Sequence, residues 1–135
     1  MAYAVHTKVP VEKTKTEIEG TLARYGADRF AYFAEASKAV IVFEAHGRRL
    51  RFDLPLKEGA REKDQQTRRA QWRALLLCIK AKLESVASNI ESFEEAFLAH
   101  VVLPDGKTVY EHTAPRIEQI AKGGEMVALL PGPSK

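Results

Sequence analysis

Between Arg61 and Ile90 the apolar residues Trp72, Leu75, Leu76, Ile79, Leu83, Val86 and Ile90 recur at intervals of three and four. That spacing places them along one face of a single long helix. A seam of this length must be buried, so the remaining chain has to supply a surface to cover it. Arg69, Arg73 and Lys80 fall on a stripe beside the seam, which gives the helix a cationic edge as well.

The covering surface is legible upstream. Residues 38–45 form a β-branched run, and in residues 48–54 Leu50, Phe52 and Leu54 alternate with Arg49, Arg51 and Asp53. His46-Gly47 is a two-residue connection between them, and the aromatic run 29–36 is a third strand. Residues 3–9 are short and β-friendly, closed by Pro10. Val11, Ile18, Leu22 and Tyr25 keep helical spacing, with Thr14 and Glu17 as a capping box or Pro10 as an earlier start, and with Gly26 just past the end. Asp64 is placed to cap the long helix, which breaks near Asn89–Ser92. Ser92 and Glu95 then open a short helix over Phe93–Leu98. His100–Leu103, Pro-Asp-Gly and Lys107–Tyr110 read as a second hairpin. Thr113-Ala-Pro115 opens a last helix through Ala121, ended by Gly123-Gly124. The expected fold class is α+β: an antiparallel β-meander plus a second β-hairpin, packed against one long helix and two or three shorter helices. One domain, 1–135, is expected, with 123–135 a loosely structured tail.

A chain of 135 residues can bury a core without disulfide or metal staples. Its single cysteine, Cys78, has no partner at disulfide or metal-ligand spacing and reads as a small core residue. No apolar leader core and no membrane-length apolar run occurs, so a cytoplasmic location is expected. The net charge of +3 says little, but its distribution is uneven. Seven Lys or Arg stand against two acids between Arg61 and Lys82, whereas the stretch from Leu83 to Ala99 holds four acids and no Lys or Arg. Such asymmetry fits a polyanion-binding face, or a solvated helix whose two ends meet other elements.

The segments Arg69-Ala-Gln-Trp-Arg-Ala-Leu-Leu-Leu-Cys-Ile-Lys-Ala-Lys-Leu-Glu84, Phe93-Glu-Glu-Ala-Phe-Leu and Leu103-Pro-Asp-Gly-Lys-Thr-Val109, with the Met126-to-Pro131 ending, resemble a widespread family of small proteins encoded by tailed phages and prophages. The likeness covers most of the chain. That family has no settled activity, so the resemblance implies a phage-associated, intracellular setting and no particular chemistry.

Catalytic signatures are missing from the sequence. Cys78 lies among apolar neighbours with no base beside it. His6, His46, His100 and His112 are scattered; His100 and His112 bracket the second hairpin near Asp105 and Glu111 but lack the close spacing of a metal pair. No glycine-rich phosphate loop is present, and Glu44 and Asp53 make only a weak nuclease pattern. What remains is electrostatic. Arg48, Arg49, Arg51, Arg68, Arg69, Arg73 and Lys80 would form a phosphate groove if the outer side of the third strand adjoins the helix edge. Phe30, Tyr32 and Phe33 are the candidate stacking aromatics, Tyr32 foremost, and alternation sets Tyr32 and Phe33 on opposite faces. On the competing reading Phe30 and Phe33 are core, and Arg49 and Arg51 pair with Glu44 and Asp53. The function expected is a non-enzymatic nucleic-acid-binding accessory protein without catalytic residues, metal or cofactor. The alternative is an inhibitor or adaptor that binds a host defence protein, and a small hydrolase or nuclease comes third. Ala70, Ala74, Cys78, Ala81, Ser85 and Ser88 run opposite the seam and would admit a second copy, giving a homodimer.

Overall fold

The structure, a computed structural model, describes residues 7–132. Most of the extended run expected at 3–9 lies outside the described residues, and residues 7–9 belong to no strand. Pro10, with φ fixed at −60°, stands immediately before α1 (Val11–Arg24). Thr14 is therefore a buried residue within that helix and not its cap. Gly26 ends the turn at φ +94°, a conformation that favours glycine.

Three strands follow: β1 (Asp28–Ala34), β2 (Lys38–Ala45) and β3 (Arg48–Pro55), hydrogen-bonded in the order β1-β2-β3 and antiparallel throughout. His46 and Gly47 both take positive φ, 53° and 75°. This is the backbone that lets a two-residue turn match the twist of its strands. Ile41 faces Phe52 and Phe43 faces Leu50, so one side of the sheet carries Ala39, Ile41, Phe43, Leu50, Phe52 and Leu54, all buried. The other side carries Val40, Val42, Glu44, Arg49, Arg51 and Asp53.

The long helix α2 (Glu62–Ala87) lays Trp72, Leu75, Leu76, Ile79 and Leu83 on the buried face, where Ile18 and Leu22 of α1 join them. Its N-terminal flank is Arg61. Asp64 lies in the first turn, almost wholly buried, and accepts from Arg61 Nε at 3.2 Å. The helix ends at Ala87 with Ser88 at its C-cap, next to the break expected near Asn89–Ser92. Asn89 adopts φ +59°, the chain turns, and Ile90 is left in solvent. Cys78 also departs from expectation: it is exposed, because the core seam at Trp72, Leu75, Leu76, Ile79 and Leu83 is turned away from it.

Ser92 and Glu95 form the expected capping box at the start of α3 (Phe93–Phe97), which continues into a 3-10 turn at Leu98–His100. Phe97 closes the core, edge-on to Phe52 at 6.3 Å. The second hairpin is not formed. The Pro-Asp-Gly turn is present, with Leu103 N donating to Lys107 O at 2.8 Å. The pairing, however, amounts to isolated bridges, Val102 to Thr108 and Leu50 to Val101. Thr108 caps a helix here: its hydroxyl accepts from Glu111 N at 3.1 Å, and Glu111 returns a carboxylate to Thr108 N at 2.8 Å. The last helix, α4 (Val109–Gly123), thus begins ahead of Thr113 and contains Pro115. From there to Gly132 no regular element follows, and Arg116 Nη1 reaches Leu129 O at 3.3 Å. The architecture is α+β, and among the described residues no helix is long and apolar enough to cross a membrane.

Candidate nucleic-acid interface

The side of the sheet turned away from α2 is open. Its floor is built by cross-strand register, which sets Ala31 beside Val42 and Arg51, and Phe33 beside Val40 and Asp53. Near its start β1 carries a bulge: Asp28 pairs with Glu44 and Ala31 with Val42, so β1 holds one residue more than β2 over that span. Arg29 sits in the bulge at φ +56°, with its side chain 77% exposed. Phe30 turns inward to stack on Phe43 at 6.2 Å, while Phe33 points out and is 63% exposed.

Two adjoining hollows lie over this face. One, of about 540 Å³, is lined by Arg29, Phe33, Val42, Arg49 and Arg51 among others. The second, of about 450 Å³, continues past Arg48 and Arg49 to Leu103 and Pro104. Both touch Glu44, Arg49, Val102 and Gly106, so together they make one trough, with the sheet as floor and the 102–106 turn beside it. That turn is tied to the edge of β3 by Val102 N donating to Arg49 O at 2.8 Å. Four arginines and one acid, Glu44, line the whole trough.

The ion pairs decide which of those charges are free to act. Glu44 is shared by Arg29 at 3.6 Å and Arg49 at 3.3 Å, and Asp28 stands opposite Glu44 in register, so the corner sets two arginines against two acids. Arg51 is held by Asp53 at 3.2 Å, by Glu111, and by the Gly106 carbonyl at 3.0 Å. It fastens α4 and the turn to the sheet. Arg48 alternates with Arg49 and turns its side chain to the helix side of the sheet, where it pairs with Glu94 of α3.

No family model, curated protein or solved structure matches this chain.

The cations of α2 lie elsewhere. Because α2 covers the buried face of the sheet, its arginines do not adjoin Arg49 and Arg51, and the seven cations form no single groove. Arg68 donates to the carbonyls of Ala36 at 2.9 Å and Lys57 at 3.2 Å, pinning two loops. Arg69 binds Glu62 at 2.8 Å and Gln66. Arg73 binds Glu17 of α1 at 2.9 Å, and that hydrogen bond holds the Glu17 carboxyl below its ordinary range. Lys80 stands exposed nearby, its charge adding to the field on Glu17. Tyr32 faces the core side: it pairs with Ile41, leans on Trp72 at 6.4 Å and donates weakly to Lys15 O at 3.5 Å. Burial, with Glu19 and Glu12 behind it, raises the pKa of its phenol. It is therefore not presented to a ligand on the open face; the aromatic that is presented is Phe33.

The histidines are engaged separately. His100 stacks on Phe52 at 3.8 Å with Nδ1 against Arg51 O at 3.2 Å, and burial lowers its pKa. His112 Nε2 meets Asp105 Oδ2 at 2.6 Å. Among the described residues no three His, Cys, Asp or Glu are grouped to hold a metal ion.

Sequence reasoning missed Arg29 and the 102–106 turn as parts of this face. The bulge that presents Arg29 leaves no sequence signal, and the turn reaches the sheet only through tertiary pairing.

Proposed function

We propose that the protein is a non-enzymatic nucleic-acid-binding accessory protein that holds a phosphate backbone against the open face of its sheet. The observation that carries this reading is the trough that gathers Arg29, Arg49 and Arg51 on the open face of the sheet. Guanidinium groups bind phosphate through paired N–H donors, and Arg29 and Arg49, whose side chains are 77% and 62% exposed, keep donors within reach of a ligand there. The likeness of the sequence to phage-encoded proteins supports a phage-associated setting, inside the host cell. Oligonucleotide affinity should fall steeply with salt. Arg29→Glu with Arg49→Glu should abolish most of it and flatten the salt slope by about 0.7 for each single-strand phosphate that is no longer neutralised. The same exchange at Arg69 and Arg73 should leave affinity intact. Salt-independent binding, or full affinity in the folded Arg29/Arg49 variant, would reject this reading.

One observation favours a protein partner as the second reading. From Val109 to Gly132 no described residue is buried, and Tyr110, Ile117 and Met126 are 62%, 53% and 80% exposed. A helix and tail so placed suit a host protein, or a second copy alongside the exposed Ala74, Cys78 and Ala81 of α2. Light scattering should give a dimer mass that Ala81→Arg reduces to the monomer; a monomer for the unaltered protein would dismiss the two-fold assembly.

A further inference from the structure

We infer that the trough takes single-stranded and not duplex nucleic acid, with one base stacked on Phe33; this rests on the nucleic-acid reading of the same face. The shape of the site is the first argument. Duplex DNA is read by an element that protrudes into a groove, a helix or a two-stranded ribbon. Here the cations sit in a hollow over a three-stranded sheet, flanked by the Val102–Gly106 turn. A rigid duplex meets the rim of such a hollow, whereas a single strand can lie along its floor.

The second argument is the aromatic. Phe30, Tyr32, Phe43, Phe52, Phe93, Phe97 and Trp72 each contact another ring. Phe33, on the open face and 63% exposed, is in none of those pairs. Its cross-strand neighbour is Val40, and Ala31 and Val42 lie one step further along the same face. This makes an apolar floor of the kind that receives a base and its sugar. Every base has a π-face, so such a platform binds without strong sequence preference. The third argument is the order of groups. Directly across the strands Phe33 faces Val40 and then Asp53; Val42 and Arg51 lie one step along the same face, and Glu44 and Arg49 the next step, towards Pro104. Strands lie roughly 5 Å apart and rise roughly 3.4 Å per residue, so the platform is roughly 12 Å from Arg51 and roughly 17 Å from Arg49. A strand with one base on Phe33 can thus bring a phosphate a few nucleotides further along to Arg49, with Arg29 beside it across Glu44.

Fluorescence anisotropy with labelled oligothymidylate, oligouridylate and a duplex of equal length tests the assignment. The single strands should bind and the duplex should bind far more weakly. Phe33→Ala should weaken single-strand binding by roughly 5- to 150-fold, the loss expected for one stacked base, while Phe33→Trp should retain affinity. Circular dichroism melts should show both variants folded, since the ring is outside the core. Duplex binding equal to single-strand binding, with Phe33→Ala neutral, would overturn the single-strand assignment and leave the phosphate-binding reading standing. Absence of binding to all three probes would overturn both.

Discussion

Single residues differ sharply in how much of the fold depends on them. Trp72 is 2% exposed beneath Tyr32 and the Lys15 ammonium, which lies 5.1 Å over its ring. Trp72→Ala should cost about 3–5 kcal/mol, read as a lowered urea midpoint with unchanged slope. Gly59 matters for a different reason. At φ +126° it already favours glycine, and an added Cβ would come within 2.1 Å of Asp64 Oδ2. Gly59→Ala should therefore destabilise by more than about 1 kcal/mol. His100 links the fold to pH. Its pKa is lowered in the folded protein by burial, so the unfolded chain takes up the proton first. Stability should be full above the ordinary histidine pKa of about 6.5 and decline as pH falls below it. Glu17 acts in the more acidic range: its depressed pKa means a contribution present above the usual carboxylate range and lost as pH falls through the folded value. His100→Phe should flatten the first decline and Arg73→Leu the second in a series of melts against pH. Residue chemistry of this kind was only half legible beforehand. The alternation in 29–36 sets Tyr32 against Phe33 but both phases carry aromatics, so only the register with Ile41 shows that Tyr32 is the inward one.

The elements were more readable than their ends. The strands β2 and β3 and the His46-Gly47 turn follow directly from alternation and turn chemistry, and the seam of α2 from its period. Misreading began where two local signals compete. Lys107–Tyr110 looks like the return strand of a hairpin, yet Thr108 and Glu111 stand at capping-box spacing and that signal prevails, turning Val109 and Tyr110 into helix. Pro115 then falls inside α4, although a proline usually marks a first turn. Its ring nitrogen cannot donate to the Glu111 carbonyl one turn back. Pro115→Ala is expected to raise helix content and melting temperature, and Thr108→Ala to cost about 1 kcal/mol by removing the cap. Both are checked by circular dichroism; a lower melting temperature for Pro115→Ala would show that the proline ring itself supports the seat of α4 on the 3-10 turn.

For the whole molecule, the sheet divides the surface in two. One side is closed by α1, α2 and α3 and the other is open, which is why the cations split into one set on α2 and another on the strands. Sequence spacing could not show that division, because it follows from which face of β3 the long helix covers. The two edges of the sheet are also unequal. Val101 and Val102 cover the β3 side, but β1 is an edge strand with nothing paired to its outer side among the described residues. An uncovered edge invites the strand of another molecule, and repeated addition builds fibrils. The kink at Arg29 interrupts that template after Asp28 and places a charge on it, leaving only Ala31–Ala34 in regular register with β2. One irregular residue is therefore expected to disfavour edge-to-edge addition at high concentration. Deleting Arg29 would straighten the edge, and the expected result is faster growth of thioflavin-positive aggregates at a protein concentration where the parent stays clear.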